Sequence, residues 1–132
     1  MILLDTHVLI WWTSIPEKLS KSAQSAIEGQ IKSKKQILVS AISIWEIYLL
    51  VKKDRLKLAL DIESWRKKLE ELPELQFVPV DNTIAAKSVI LPDPLHADPA
   101  DRMIVATARE YGATLITSDK QLLNYPHVRS LW

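Results

Sequence analysis

The sequence contains no cysteine and only two glycines, Gly29 and Gly112. Because cysteine is absent, the chain can form neither a disulfide bond nor a thiolate metal site, and a reducing compartment is the natural expectation. Phosphate-binding loops and dinucleotide fingerprints require several closely spaced glycines, so both kinds of nucleotide site are excluded. We therefore expect a cytoplasmic protein whose chemistry depends on other residue types.

Long apolar segments are missing as well. No segment reaches the ~20 apolar residues that a membrane-spanning helix needs. The apolar start, residues 1–4, ends at Asp5 and lacks the basic region and the length of a signal peptide. We therefore expect no membrane partner.

A strong excess of charge of one sign is also lacking, because 17 lysines and arginines face 16 aspartates and glutamates, for a net charge of +1. Strong nucleic-acid binders often carry a large basic excess, so a nucleic-acid function must here be argued from a local site. The length of 132 residues suits one ordinary domain, and we predict a single domain over residues 1–132.

Short apolar segments alternate with helical patterns along the chain. The predicted strands cover residues 2–4, 36–40, 76–80, 114–117 and 128–132. The predicted helices cover residues 7–12, 20–31, 43–53, 62–72, 82–89, 99–111 and 119–123. This alternation predicts an α/β three-layer sandwich, in which helices cover both faces of a mostly parallel central sheet. Pro79 places the third strand near an edge, because proline cannot donate to a strand ladder.

Four acidic residues stand near the carboxyl ends of the predicted strands. Asp5 ends the first strand and Asp119 follows the strand over residues 114–117, while Glu46 and Asp101 fall in first turns of neighbouring helices. Ligands of open parallel sheets bind at this edge, so we expect the four carboxylates to lie there. Because like charges repel, a hard cation such as Mg²⁺ or Mn²⁺ is expected between them. Such an ion can activate water and stabilise the charge on a phosphodiester.

Three of these acids also have a structural interpretation. Glu46 stands three residues after Ser43, which is the spacing of a capping box, and Asp101 stands three residues after Asp98. Asp119 can cap the helix that follows it, and acids at helix N-termini are stabilised by the helix dipole. Helix capping therefore competes with metal binding at each of these positions.

Two other activities of Asp5 are less well supported. A phosphatase with Asp5 as nucleophile needs a second aspartate shortly afterwards, and the sequence Thr6-His7-Val8 supplies none. A receiver-like phosphoacceptor module needs a lysine after a late strand, but Lys120 directly follows Asp119.

Four segments carry a resemblance to a known family. They are residues 2–7 (ILLDTH), 40–47 (SAISIWEI), 96–108 (HADPADRMIVATA) and 115–119 (LITSD). In this order and spacing, the chain resembles the PIN-domain family over nearly its whole length, and most closely the VapC-like toxin ribonucleases of toxin–antitoxin pairs. The resemblance implies a Rossmann-like PIN fold, with one PIN domain over residues 1–132, and Mg²⁺-dependent or Mn²⁺-dependent hydrolysis of RNA.

The resemblance also implies the site residues. The catalytic and metal-binding carboxylates are Asp5, Glu46, Asp101 and Asp119. Asp5 and Asp101 are expected to be the central ligands, and the other two are expected to flank them or to position water.

Several further residues match the family pattern around the carboxylates. Thr6 and Ser118 match hydroxyl positions that orient a carboxylate or a bound water, although Thr6 can also be a strand-end hydroxyl that binds backbone. Asp98 matches the pattern as a helix cap or as an inner metal ligand. His96 contacts either substrate or backbone in this interpretation. Arg102 either contacts phosphate or balances the local acidic charge.

The resemblance finally implies an RNA substrate, a cognate antitoxin and a homodimer as partners. Two alternatives are a PIN-fold nuclease that processes RNA without an antitoxin and a non-catalytic PIN-like binding module. Trp11 and Trp12 are adjacent, so we expect one of them to be exposed, and Trp45 is a further candidate for partner contacts. The basic residues at 52, 53 and 55 form either a solvated surface or a guide for RNA.

Overall fold

Five short strands form one parallel sheet in the computed structural model, which describes residues 1–132. The strands are β1 (Ile2–Leu4), β2 (Ile37–Ser40), β3 (Leu75–Val78), β4 (Thr114–Ile116) and β5 (Ser130–Leu131). Their spatial order is β3-β2-β1-β4-β5, and all neighbouring strands run parallel. The central strand β1 therefore has later strands on both sides, and β3 lies at an edge as predicted from Pro79.

Seven α-helices connect these strands. They are α1 (Thr6–Ser14), α2 (Lys21–Lys32), α3 (Ala41–Lys52), α4 (Ile62–Glu70), α5 (Asn82–Val89), α6 (Pro99–Tyr111) and α7 (Lys120–Leu123), and a 3₁₀ turn (Pro16–Lys18) follows α1. Every predicted helix is present, with ends that differ by a few residues. None of the helices combines the length and the apolar character that crossing a membrane requires.

The side chains of the strands alternate between two hydrophobic layers. Leu3, Leu38 and Leu115 belong to one buried cluster, which is completed by residues of α5, α6 and α7. Their strand neighbours Leu4 and Val39 belong to the other cluster, which is completed by residues of α1, α2, α3 and α4. Each fully buried aliphatic side chain stabilises the fold by about 1.5–3 kcal/mol. The predicted three-layer α/β sandwich with a parallel central sheet is confirmed.

The start of α3 differs from the prediction. Ser40, not Ser43, is the N-cap, and its hydroxyl accepts a hydrogen bond from the backbone N–H of Ile42 at 3.2 Å. The reason is that β2 ends at Ser40 in an extended conformation and the helix begins at the very next residue. Glu46 therefore lies in the second turn of α3, and its interpretation as part of a capping box is wrong.

The other helix starts agree more closely with the sequence. Asp81 caps α5, through a hydrogen bond from the backbone N–H of Ile84 at 2.9 Å. Asp98 caps α6 as predicted, and its Oδ1 accepts from the backbone N–H of Asp101 at 2.9 Å. At the other end of α6, Gly112 adopts a left-handed conformation with φ +63°, which glycine accepts without steric cost.

The tryptophans also differ from expectation. Trp11 and Trp12 are both half-buried against the core cluster on the side of α1, and the Trp11 ring lies 5.7 Å from the ring of Trp132. The prediction that one of the two would be exposed is wrong, because Trp132 packs against the ring of Trp11. The exposed tryptophan is instead Trp45, with 57% of its surface accessible.

Candidate active site

Asp5 lies at the junction of β1 and α1, where it ends the strand and caps the helix. Its Oδ1 accepts a hydrogen bond from the backbone N–H of Thr6 at 2.8 Å, and its Oδ2 accepts from the Thr117 hydroxyl at 2.7 Å. The sheet register explains the second contact, because Leu4 pairs with Ile116 and the next residues of both strands become neighbours. Asp5 is only 8% exposed, and this burial raises its pKa although both hydrogen bonds lower it.

Glu46 is held by the hydroxyl of Thr6. Thr6 Oγ1 donates to Glu46 Oε1 at 2.5 Å and lies 2.8 Å from Ser43 Oγ. Because the Thr6 hydroxyl has one proton and gives it to Glu46, Ser43 is the donor to Thr6. A three-residue relay, from Ser43 through Thr6 to Glu46, therefore fixes one oxygen of the carboxylate.

Asp101 lies in the first turn of α6, as predicted. Its Oδ2 is 2.8 Å from His96 Nε2, and the backbone N–H of Asp101 binds the capping carboxylate of Asp98. Asp98 thus acts as a cap, whereas His96 contacts a carboxylate, a partner that the sequence did not indicate.

Asp119 caps α7. Its Oδ1 accepts from the backbone N–H of Gln121 at 2.8 Å, and its own N–H donates to Thr117 Oγ1 at 3.1 Å. The Thr117 hydroxyl therefore connects Asp119 to Asp5. Ser118, which was predicted to support the site, is half-buried and makes no side-chain hydrogen bond to these carboxylates.

The carboxylates influence each other electrostatically. The pKa of Glu46 is raised to about 7, mainly by burial and also by the charges of Asp101, Asp5 and Asp98, against the lowering effect of the Thr6 hydrogen bond. The pKa of Asp101 is raised to about 6, mainly by burial and also by repulsion from Asp5 and Asp98, against the lowering effect of the hydrogen bond from His96. Repulsion from Asp119 likewise raises the pKa of Asp5. The structure therefore brings all four predicted acids into one electrostatic group.

Comparison with known proteins identifies the family. The family model described as PIN domain matches residues 2–128. The chain belongs to the PIN domain family. It is 39% identical over 128 residues to Ribonuclease VapC22 of Mycobacterium tuberculosis, which covers 97% of this chain and 94% of that protein. The resemblance seen in the four sequence segments is confirmed.

Solved structures share the fold of this PIN domain. FitAcB from Neisseria gonorrhoeae superposes with a TM-score of 0.72 at 23% identity, covering 100% of this chain and 97% of that chain. A toxin–antitoxin complex from Klebsiella pneumoniae gives a TM-score of 0.68 at 23% identity, with the same coverage. The predicted PIN-like fold is therefore confirmed.

The four carboxylates of this PIN domain have no lysine or arginine beside them as an ion-pair partner. None of the ion pairs between side chains brings a lysine or an arginine to these carboxylates, and His96 is the only partner of this kind, at Asp101. The carboxylates suit a hard cation in their chemistry, because they offer oxygen donors with uncompensated charge. No three acidic or histidine side chains converge closely enough to form a complete preformed coordination shell.

Two hydroxyl residues of this PIN domain were missed in the sequence. The sequence predicts Thr117 only as the end of a strand. In the structure its hydroxyl donates to the Asp5 carboxylate and accepts from the backbone N–H of Asp119. The aligned ends of neighbouring parallel strands are a signal that could have indicated it. Ser43 was read as a helix cap, and only the contact with Thr6 across 37 residues shows its role.

Arg102 does not pair with the local acidic residues, and its contact with phosphate stays a prediction. Its guanidinium donates to the backbone carbonyls of Ser88 at 2.8 Å, Val89 at 3.1 Å and Leu95 at 3.1 Å. It touches no carboxylate, because its donors face the end of α5 and the segment that follows it. Arg102 thus holds the segment that carries His96 against α6.

Proposed function

We propose that this PIN domain is a metal-dependent endoribonuclease and the toxin component of a toxin–antitoxin pair. The proposal rests on the observation that buried and half-buried carboxylates share the carboxyl edge of the sheet without a lysine or arginine partner. Repulsion between these carboxylates is costly unless a cation offsets it. The 39% identity to Ribonuclease VapC22 supports RNA as the substrate.

The proposed metal ligands are Asp5 and Asp101 at the centre, with Glu46 and Asp119 beside them. Their protein hydrogen bonds leave Glu46 Oε2, Asp101 Oδ1 and Asp119 Oδ2 without a protein partner. The cation we propose is Mg²⁺, with Mn²⁺ as a substitute, since both prefer carboxylate and water oxygens. When bound, such an ion activates water and stabilises charge on the phosphodiester.

The neighbouring side chains fix the carboxylates in this proposal. Thr117 and the backbone of Thr6 orient Asp5, the Thr6 hydroxyl orients Glu46, and His96 orients Asp101. Side chains held by such outer contacts bind cations with less loss of conformational entropy, and outer partners commonly affect metal affinity by about 10–100-fold. Asp98 contributes by capping α6 and so positioning its first turn. We keep Ser118 as a supporting residue for a bound water.

The test is cleavage of single-stranded RNA by the purified chain. We expect cleavage with Mg²⁺ or Mn²⁺ and none in EDTA, and we expect Asp5→Asn and Asp101→Asn each to abolish it. Circular dichroism and thermal unfolding of both variants check that the fold is retained. Cleavage that persists at full rate in folded Asp5→Asn would contradict the site, and absence of metal-dependent cleavage in the natural chain would favour a binding module.

An apolar groove is the proposed antitoxin site. It has a volume of 730 Å³ between α1, residues 56–60 and α4, and its walls include Ile10, Trp12, Leu58 and Trp65. The occupant that suits these walls is an antitoxin segment with an apolar face and acidic side chains, because Lys57 and Lys68 also line the groove. Co-expression with the protein encoded next to this chain tests the pairing, since we expect a stable complex that no longer cleaves RNA.

A homodimer and a cytoplasmic location complete the proposal. Val89 and Ile90 at the end of α5 are 74% and 76% exposed, and adjacent exposed apolar residues suit a protein interface. Light scattering tests the dimer, since we expect twice the chain mass for the natural protein and a shift to monomer for Ile90→Glu. A cytoplasmic location agrees with the absence of cysteine and with an RNA substrate.

A further inference from the structure

A surface cleft adjoins the carboxylate site between α3 and the start of α6. It has a volume of 210 Å³, and its walls include Glu46 and Trp45 from α3 and Asp98 and Pro99 from the other side. Glu46 belongs to both the cleft and the carboxylate site. Whatever occupies the cleft therefore lies directly beside the acidic group.

Trp45 presents its ring at this cleft. It is 57% exposed, whereas its helix neighbours Ile44 and Ile47 pack into the core. Trp45, Leu49 and Lys53 follow each other at four-residue spacing, and all three line the cleft. Residues at this spacing share one side of a helix, and eight residues extend about 12 Å along its axis. One side of α3 thus offers an aromatic surface at one end and a cation at the other.

A second cation is brought back to the same cleft by the turn after α3. Asp54 adopts a left-handed conformation with φ +57°, and the backbone N–H of Arg55 then donates to the carbonyl of Leu50 at 2.9 Å. The chain therefore folds back on the last helical turn, and Arg55 lines the cleft together with Lys53. Neither cation takes part in an ion pair within the chain. Both remain available to an anionic ligand.

We propose that this cleft binds the RNA strand next to the cleaved bond, with a nucleobase stacked on Trp45 and backbone phosphates at Lys53 and Arg55. The inference rests on the proposed ribonuclease function and adds a binding site to it. Stacking on an aromatic side chain combined with nearby cations is the usual way to hold single-stranded nucleic acid.

The charges of the cleft favour RNA over a second protein chain. Cores of protein interfaces are depleted in charged residues, but this small cleft is lined by Glu46, Asp98, Lys53 and Arg55. The net charge of the chain is only +1, so general attraction for RNA is weak. Two unpaired cations beside a group of carboxylates supply the local attraction that the phosphates need.

Equilibrium binding of labelled single-stranded RNA oligonucleotides of mixed sequence tests the stacking surface, with Asp101→Asn present in every variant so that the RNA stays intact. We expect Trp45→Ala to weaken binding about ten-fold or more, while Trp45→Phe stays within about three-fold. Tyr111→Ala is the matched control, because Tyr111 is 38% exposed and lies at the opposite end of α6. It should leave binding unchanged.

The salt dependence of the same binding tests the cations. The slope of log K against log salt should fall by about 1.4 in the double variant Lys53→Ala/Arg55→Ala, which is about 0.7 for each lost phosphate contact. The control is Lys21→Ala/Lys32→Ala on α2, where both lysines are exposed and outside any ion pair. This control should keep the slope of the parent.

The outcomes separate this inference from the proposed function. Binding by Trp45→Ala within two-fold of its parent, or an unchanged slope for the double cation variant, would overturn the cleft as an RNA site. A loss of binding that accompanies a change of mass in light scattering would place Trp45 in an interface between copies and overturn it too. If the natural chain cleaves no RNA with any divalent cation, the proposed function itself fails. If it cleaves RNA and Trp45→Ala cleaves with the same kcat/KM, only the cleft assignment fails.

Discussion

His96 Nε2 and Asp101 Oδ2 lie 2.8 Å apart at the entry to α6. The other ring nitrogen of His96, Nδ1, is buried and has no hydrogen-bond partner. The single polar contact of the imidazole is therefore with a proposed central metal ligand. This contact links the segment before α6 to the chemistry of the sheet edge.

Replacing His96 tests whether this contact prepares Asp101 for a cation. We expect His96→Ala to raise the Mg²⁺ concentration needed for half-maximal RNA cleavage by about 10-fold or more. His96→Gln should recover part of the affinity, because its amide can still donate to the carboxylate. The measurement is cleavage rate against Mg²⁺ concentration, and a half-maximal concentration that stays within two-fold in His96→Ala would reject the positioning role.

Removing the Thr6 hydroxyl tests the relay to Glu46. Thr6→Val has nearly the same shape, but it leaves Ser43 and Glu46 without their shared partner in a buried place. We expect the free energy of unfolding to fall by about 1–3 kcal/mol, together with a loss of cleavage. Thr6→Ser keeps the hydroxyl and should behave nearly as the natural chain. Urea unfolding measures the first effect, and equal stability of Thr6→Val and Thr6→Ser would count against the relay.

The raised pKa values of the carboxyls make stability in EDTA depend on pH. The pKa of Glu46 rises from 4.5 to about 7 and that of Asp101 from 3.8 to about 6. The folded chain therefore binds more protons than the unfolded chain between these values, and stability falls as pH rises. Below about pH 3 the carboxyls are protonated in both states and the penalty is absent. We expect a lower Tm at pH 8 than at pH 5, and a smaller difference for Glu46→Gln.

Divalent cations should reverse this pH effect. At pH 8 the carboxylates are charged and bind the cation without losing protons, whereas at pH 5 Glu46 and Asp101 must first release them. Addition of Mg²⁺ should therefore raise Tm more at pH 8 than at pH 5. Asp5→Asn/Asp101→Asn is the control and should lose most of this gain. An equal gain at both pH values in the natural chain would argue against cation binding by these groups.

Arg102 should matter for stability more than a half-buried cation on a helix usually does. Its guanidinium binds carbonyls of Ser88, Val89 and Leu95, and each bond from a charged donor contributes about 1.5–3 kcal/mol at most. We expect Arg102→Ala to lower the free energy of unfolding by about 2–4 kcal/mol. Arg102→Lys should restore little of it, because an ammonium group cannot reach three carbonyls in the planar arrangement. A change below 0.5 kcal/mol for Arg102→Ala would contradict this role.

The sequence predicted those features that depend on local patterns. The apolar strands and the helices between them gave the α/β class, and the parallel arrangement placed Asp5 and Asp119 at one edge. Sequence patterns did not reveal the contacts that join distant segments. The hydrogen bond from Thr117 to Asp5 joins residues 112 positions apart, and the contact of Thr6 with Ser43 depends on how α1 packs beside α3. The carbonyl partners of Arg102 could not be predicted for the same reason, since backbone carbonyls as partners leave no trace in a sequence.

β1 is joined to α1 by the single residue Asp5, and this short connection restricts insertions and deletions at the site. One inserted residue between Leu4 and Thr6 would turn α1 by about 100°, and the Thr6 hydroxyl would then point away from Glu46. Ser40 joins β2 to α3 in the same direct way. A change of chain length at either junction would therefore displace side chains of the carboxylate edge. Altered substrate preference in engineered forms should instead come from substitutions at residues 53–55 beside the cleft, while the carboxylate edge stays constant in length.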